Sequence, residues 1–123
     1  MQKVLPGERA NIVKRFLTDT RTADEFASYF TENAFFQFGN SPPLIGRKAI
    51  WESSIAFRQQ LKSVTHEIKS MWEVGEVVIC EMDVTYVRHD EKVLRLPCTD
   101  TIRFQGEKLQ ELRVYMDISP LFS

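Results

Sequence analysis

Four carboxylates in this chain stand among apolar residues, where an unpaired charge is costly: Glu81, Asp83, Asp100 and Asp117. Glu81 and Asp83 are two residues apart within 77–88 and share one face of an extended segment. Asp117 shares a face with Arg113 and Tyr115 in Leu112-Arg113-Val114-Tyr115-Met116-Asp117-Ile118. Two carboxylates held together in a desolvated site cannot both ionise easily, so one keeps its proton and the pair supplies an acid and a base. Asp83 and Asp117 are expected to form that pair, supported by Glu81 and Tyr115. The structural alternatives are pairing of Asp117 with Arg113 or Arg103, and of Asp83 and Glu81 with basic neighbours. Asp100 lies among Leu96, Cys98, Ile102 and Phe104, a third acid in apolar company.

The remaining reactive side chains are sparse. His66 stands with Val64, Ile68 and Trp72 in an alternating run, where a hydrogen-bonded packing residue is expected more than a catalyst. Cys80 and Cys98 lack Cys-x-x-Cys spacing and read as free packing residues in a reducing compartment. Two histidines and two cysteines this far apart make no metal site, and neither a Gly-rich phosphate loop nor a Gly-x-Ser-x-Gly elbow occurs, so no metal and no cofactor is expected.

The elements that must position these groups follow from periodicity. Glu8–Thr18 places Ala10, Ile12, Val13, Phe16 and Leu17 at helical spacing. Thr20 or Thr22 can cap a second short helix carrying Ala23, Phe26, Ala27, Tyr29 and Phe30, ended by Thr31-Glu32-Asn33. A short aromatic strand, 34–38, stops at Gly39-Asn40-Ser41-Pro42-Pro43. Gly46-Arg47-Lys48 leads into the longest helical pattern, which runs to about Lys62. Phe35, Phe36, Phe38, Trp51 and Phe57 are expected to be core and pocket wall together. Arg47, in the first turn of its helix, is disfavoured there by the helix dipole and is expected to bond a loop carboxylate or backbone. From Val64 onward the period is two, with turns at Gly75-Glu76, His89-Asp90-Glu91-Lys92 and Gln105-Gly106-Glu107-Lys108. Three helices and a short strand, then four long antiparallel strands, make an α+β fold. Within Val77–Arg88, Val78, Cys80, Met82, Val84 and Tyr86 form one apolar face, while the other mixes Val77, Ile79 and Val87 with Glu81, Asp83 and Thr85. Both faces are therefore expected to be covered.

With 123 residues, 43% hydrophobic and 27% charged, the chain suits one domain, 1–123. A formal net charge of -1 without a basic run speaks against nucleic acid. Nothing approaches a membrane span, and the first seven residues lack the apolar core of a secretory signal, so a cytoplasmic protein is expected.

Several short motifs in order carry a resemblance. Tyr29-Phe30-Thr31-Glu32-Asn33-Ala34-Phe35-Phe36, Gly46-Arg47-Lys48-Ala49-Ile50, Gly106-Glu107-Lys108-Leu109 and Arg113-Val114-Tyr115-Met116-Asp117 resemble the nuclear-transport-factor-2-like superfamily. They point to its SnoaL-like branch of polyketide cyclases, ketosteroid isomerases and limonene epoxide hydrolases. The resemblance implies a cone-shaped, curved antiparallel sheet wrapped around a pocket and closed by three N-terminal helices, a cystatin-like α+β barrel. It also implies a small hydrophobic organic ligand and a homodimer through the convex sheet face, with Val84, Val114 and Met116 under the second subunit. Phe36, Phe38, Trp51, His66, Asp100 and Arg113 would line the pocket.

By motif position, Asp83 and Asp117 match the two aspartates of the epoxide hydrolases, but Glu81 replaces their arginine. Phe36 and Phe38 replace the tyrosine and asparagine that hold water there. A cofactor-independent cyclase or isomerase using carboxylate acid/base catalysis is thus expected over a hydrolase. A non-catalytic ligand-binding or dimerisation module on the same fold is the alternative.

Overall fold

The computed structural model describes residues 7–123; the N-terminal residues 1–6, where no secretory signal is expected, lie outside the described residues. The order is α1 (Glu8–Thr18), α2 (Ala23–Ser28), β1 (Phe30–Phe38), β2 (Leu44–Ile45), α3 (Arg47–Gln59), β3 (Leu61–Val74), β4 (Val77–Arg88), β5 (Val93–Gln105) and β6 (Lys108–Tyr115), then a 3-10 turn, Ser119–Phe122. One sheet holds every strand in the order β2-β1-β6-β5-β4-β3. Neighbours run antiparallel except β1, which lies parallel to β6 and returns the N-terminal half of the chain to the sheet. The architecture is α+β with a curved, unclosed sheet. No helix among the described residues is long and apolar enough to cross a membrane.

Register irregularities bend the sheet. They fall between Leu61 and Ser63 and between Ile68 and Ser70 in β3, and at Gln110 of β6, opposite Arg103 and Phe104, where an extra residue kinks a strand and increases its twist. The helices cover the concave side. Ile12, Val13, Phe16 and Leu17 of α1 and Ile50 of α3 join Val78, Met82, Val84, Ile102, Leu109 and Leu112 in one core. Directly opposed residues share a face, so the pairings Val84 with Leu96 and Ile102 with Leu112 continue the inward face from strand to strand.

Two joints fix the helices to the sheet. Glu73 Oε1 and Oε2 accept from the backbone N–H groups of Ala10 (2.7 Å) and Gly7 (2.9 Å), so a carboxylate from β3 satisfies orphan donors at the start of α1. Arg9 then donates to the carbonyls of Gly75 and Gly106, the turns that follow β3 and β5. At α3, Gly46 adopts φ +98°, a conformation that disfavours any side chain, and its N–H donates to Ala34 O. Arg47 turns away from the helix and gives two hydrogen bonds, 3.0 and 2.8 Å, to the Phe30 carbonyl, the backbone partner expected of it.

Boundaries differ from expectation where tertiary pairing overrides local signals. β1 begins at Phe30, which pairs with Leu109 of β6, and runs through the 31–33 stretch read as a helix terminator to the Phe35–Glu111 pair. α3 stops at Gln59 because β3 begins at Leu61 to pair with Arg88. β6 ends at Tyr115, so Asp117 lies beyond the strand; its Oδ1 accepts from the Ser119 N–H and starts the terminal 3-10 turn.

Candidate functional site

Between the concave face and the helices lies a cavity of about 600 Å³. Its walls are aromatic and aliphatic: Phe16, Phe26 and Phe57 from the helices, and Phe36, Phe38, Val64, Met82, Leu112 and Val114 from the sheet. Polar atoms reach it from Asp100, His66, Tyr86 and Cys98 on the strands and from Ser53, Ser54 and Arg58 on α3. A second depression near Arg88, His89 and Asp90 has its acid already tied, with Arg88 Nη2 2.6 Å from Asp90 Oδ2.

Asp100 is the chemically distinctive group. It faces inward because it pairs with Cys80 of β4 and Val114 of β6 on the buried face, and only 4% of its surface is exposed. Among the described residues the one hydrogen bond to its carboxyl comes from the Cys98 thiol, at 3.5 Å, and no cation pairs with it. Burial therefore dominates and pushes its pKa up to about 7, against a small opposing pull from Cys98. The same burial, with the Asp100 charge added, pushes Cys80 up to about 12 and raises Cys98 as well, so both thiols stay protonated.

Tyr86 is buried on β4, its hydroxyl donating to Met116 Sδ at 3.3 Å and its ring edge-on to Phe57. Thioethers are weak acceptors, so this donor can turn to a better one at small cost. Burial raises its pKa, as do nearby Cys98 and Asp100, which keeps it a phenol. His66 pairs with Val84 and faces the cavity; burial lowers its pKa, and the Arg58 guanidinium pushes the same way against the Leu17 carbonyl.

The residues expected to form an acid pair stand elsewhere. Glu81 pairs with Thr99, which pairs with Tyr115, so these share the outer face as the alternation requires. Asp83 Oδ2 meets Lys69 Nζ at 3.0 Å and Arg95 Nη2 at 2.9 Å, and hydrogen bonds from those two cations, Lys69 first, lower its pKa. Asp117 bonds Ser119 instead of Arg113 or Arg103, and those hydrogen bonds lower its pKa as well. The grouping of Glu81, Asp83, Arg113 and Tyr115 was legible; the face was not. β4 buries the uniformly apolar side, Val78 to Tyr86, and leaves its mixed side outward.

Four expected pocket residues, Phe36, Phe38, His66 and Asp100, do line the cavity. Arg113 does not: on the outer side it stacks 4.4 Å from the Phe35 ring centroid and donates to Gln37. Trp51 does not either, because its indole N–H donates to Asp24 Oδ1 at 2.6 Å and ties α3 to α2. Val84, Val114 and Met116, expected under a second subunit, line the cavity. Trp72 parts from His66 because the irregularity between Ile68 and Ser70 reverses the phase of β3. Cys98, Tyr86 and Arg58 also line the cavity, beyond the residues that the resemblance implies. Their signal was position on the same inward stripes as Met82, Val84 and Ile50.

Fold and cavity together define the class, a small α+β domain whose curved sheet encloses an apolar chamber. The family model described as a SnoaL-like domain matches residues 13–112, and the chain belongs to that family. Solved structures agree. A protein described as a SnoaL-like polyketide cyclase from Jannaschia sp. CCS1 superposes with TM-score 0.83 at 12% identity, over 99% of this chain and 95% of that one. A protein with a ketosteroid isomerase-like fold from Catenulispora acidiphila DSM 44928, in complex with trimethylamine, gives 0.80 at 15% identity, over 94% and 89%. SalBIII, an epoxide hydrolase/cyclase-like enzyme with a role in pyran ring formation in salinomycin, gives 0.77 at 19% identity, over 90% and 92%. At these identities the likeness establishes the fold. No curated protein matches the sequence.

Proposed function

We propose that the chain is a cofactor-independent cyclase or isomerase that takes a small, largely apolar, carbonyl-bearing molecule, with Asp100 as its acid/base. One observation carries this reading: a buried carboxyl without a cation partner among the described residues, on the cavity wall and with a pKa raised to about 7. A catalytic acid/base works best with a pKa near the operating pH, where both protonation states are populated. The ionised carboxylate takes a proton from the carbon beside the carbonyl, and its electron pair moves to the carbonyl oxygen. Tyr86, whose hydroxyl now rests on a weak thioether acceptor, donates a hydrogen bond to that enolate oxygen. Protonated Asp100 then returns the proton at another carbon of the conjugated system, giving an isomer. In a cyclase, the enolate carbon instead attacks a second carbonyl, whose oxygen takes the proton. The apolar walls strengthen these interactions by excluding water.

Epoxide hydrolysis ranks below this, since Phe36 and Phe38 on the cavity wall cannot hold an attacking water. Non-catalytic ligand binding remains the second reading, favoured by the position of Asp83, Glu81, Asp117 and Tyr115 away from the cavity. The proposed homodimer uses the outer sheet face, where Trp72, paired with Ile79, and Tyr115 are each about half exposed. The two buried free thiols suit the cytoplasmic setting of this reading.

Deuterium exchange into 2-tetralone in D₂O, followed by mass spectrometry, tests the acid/base role. Wild type should accelerate exchange beside the carbonyl, and Asp100→Asn should lose about 100-fold or more of that rate, the lower range for general acid–base catalysis. Equal rates in wild type and variant would sink the assignment.

A further inference from the structure

We propose that the cavity selects organic acids, molecules with an apolar body and a carboxylate, and that Arg58 is the residue that binds the carboxylate. The inference rests on the cavity being a ligand pocket and specifies what enters it. The cavity-facing stripe of α3 is Ile50, Ser53, Ser54, Phe57 and Arg58, at the i, i+3, i+4, i+7, i+8 spacing of a buried face. A helix that merely packed against the sheet would be apolar at all five positions. Here three are polar.

Arg58 is half-buried, and its Nε donates to Ser54 Oγ at 3.1 Å, which steadies the guanidinium fork. Among the described residues no carboxylate lies within ion-pair distance of it, and no backbone carbonyl accepts from its Nη groups. The other arginines with buried or shared positions are occupied: Arg47 by Phe30 O, Arg88 by Asp90, Arg95 by Glu67 and Asp83, and Arg103 by Glu76 and Glu111. Desolvation lowers the pKa of Arg58, with only partial relief from the charge of Glu25. A desolvated cation without a counter-ion is costly, and a bidentate carboxylate relieves that cost.

Other groups of the cavity lining also suit an anion. Arg21, also on the cavity wall, adds a second cation, and Ser53 adds a hydroxyl. Among the described residues the only cavity-lining carboxylate is Asp100, and Arg58 is not among the groups that move its pKa. Carboxylate at Arg58 and reacting carbonyl toward Asp100 would orient an apolar molecule along the aromatic walls, so that binding energy at one end positions chemistry at the other.

Calorimetric titration with 2-naphthylacetic acid and its neutral analogue 2-naphthylacetamide tests this at pH 7.5. Wild type should bind the acid about tenfold or more tighter than the amide, as expected for hydrogen bonds to a charged partner. In Arg58→Gln the ratio should fall to near one, and Arg58→Lys should restore part of it. Equal affinities for acid and amide in wild type, or an undiminished ratio in Arg58→Gln, would overturn the proposal while leaving the pocket reading intact. If neither probe binds wild type at millimolar concentration, the pocket reading fails and this inference with it. The wild-type ratio decides the matter even if a variant does not fold.

Discussion

At the scale of single residues, the molecule separates its carboxylates by what surrounds them. Asp83 is held ionised by Lys69 and Arg95, whereas Asp100 is denied any such partner among the described residues and keeps its proton to about pH 7. Because that pKa lies above the ordinary 3.8, Asp100 favours the folded state fully below about pH 4 and loses this as pH rises to about 7. Ionising the buried carboxyl costs on the order of 4 kcal/mol at 1.36 kcal/mol per pK unit. Thermal melts of wild type and Asp100→Asn should therefore show a stability difference that shifts against wild type between pH 4 and 7 and is flat above. A parallel pair of curves would refute the burial argument. By contrast, Asp83→Asn, in an ion network on the outer face, should leave the melting temperature nearly unchanged and probe binding unaltered. The sequence marked Asp100 as an acid in apolar company but gave the catalytic weight to Asp83 and Asp117. Alternation groups side chains by face without saying which face is inward, and the uniformly apolar run from Val78 to Tyr86 was the better guide.

Among elements, the position of the cavity depends on how α1 and α3 are fastened. Glu73 reaches from β3 to the first N–H groups of α1, a link spanning 63 residues to Ala10. Glu73→Ala should cost about 1–2 kcal/mol in denaturant unfolding, as loss of a helix cap does. Gly46→Ala should cost about 1–3 kcal/mol, since φ +98° strains any side chain although its Cβ would only touch Glu32 O at 3.7 Å. A stability unchanged in either variant would contradict the corresponding joint. Helix periodicity and polar turns made α1, α2, α3 and the four hairpin-linked strands β3 to β6 legible; of Thr20 and Thr22, the two candidate caps of α2, it is Thr22 that accepts from Glu25 N. The parallel pairing of β1 with β6, the two-residue β2 and the phase change within β3 were not legible, because each is set by a partner distant in sequence.

For the whole molecule, one sheet presents an apolar chamber inward and a charged, partly apolar surface outward. The proposed dimer uses that outer surface, which needs roughly 800 Å² per partner for a stable association. Light scattering at micromolar concentration should give twice the 14.4 kDa chain mass, and Ile79→Glu, on the outer face of β4, should shift it to monomer. A wild-type monomer would remove the dimer from the functional reading without touching the cavity. The central claim is narrower: the fold holds one carboxyl beside an apolar chamber at a pKa suited to moving protons. Carbon-13 NMR titration of the aspartate carboxyls, with Asp100→Asn to assign the signal, tests it directly. One resonance with a midpoint near pH 7, absent from the variant, is the predicted result. An Asp100 midpoint in the ordinary carboxylate range near 4 would contradict it.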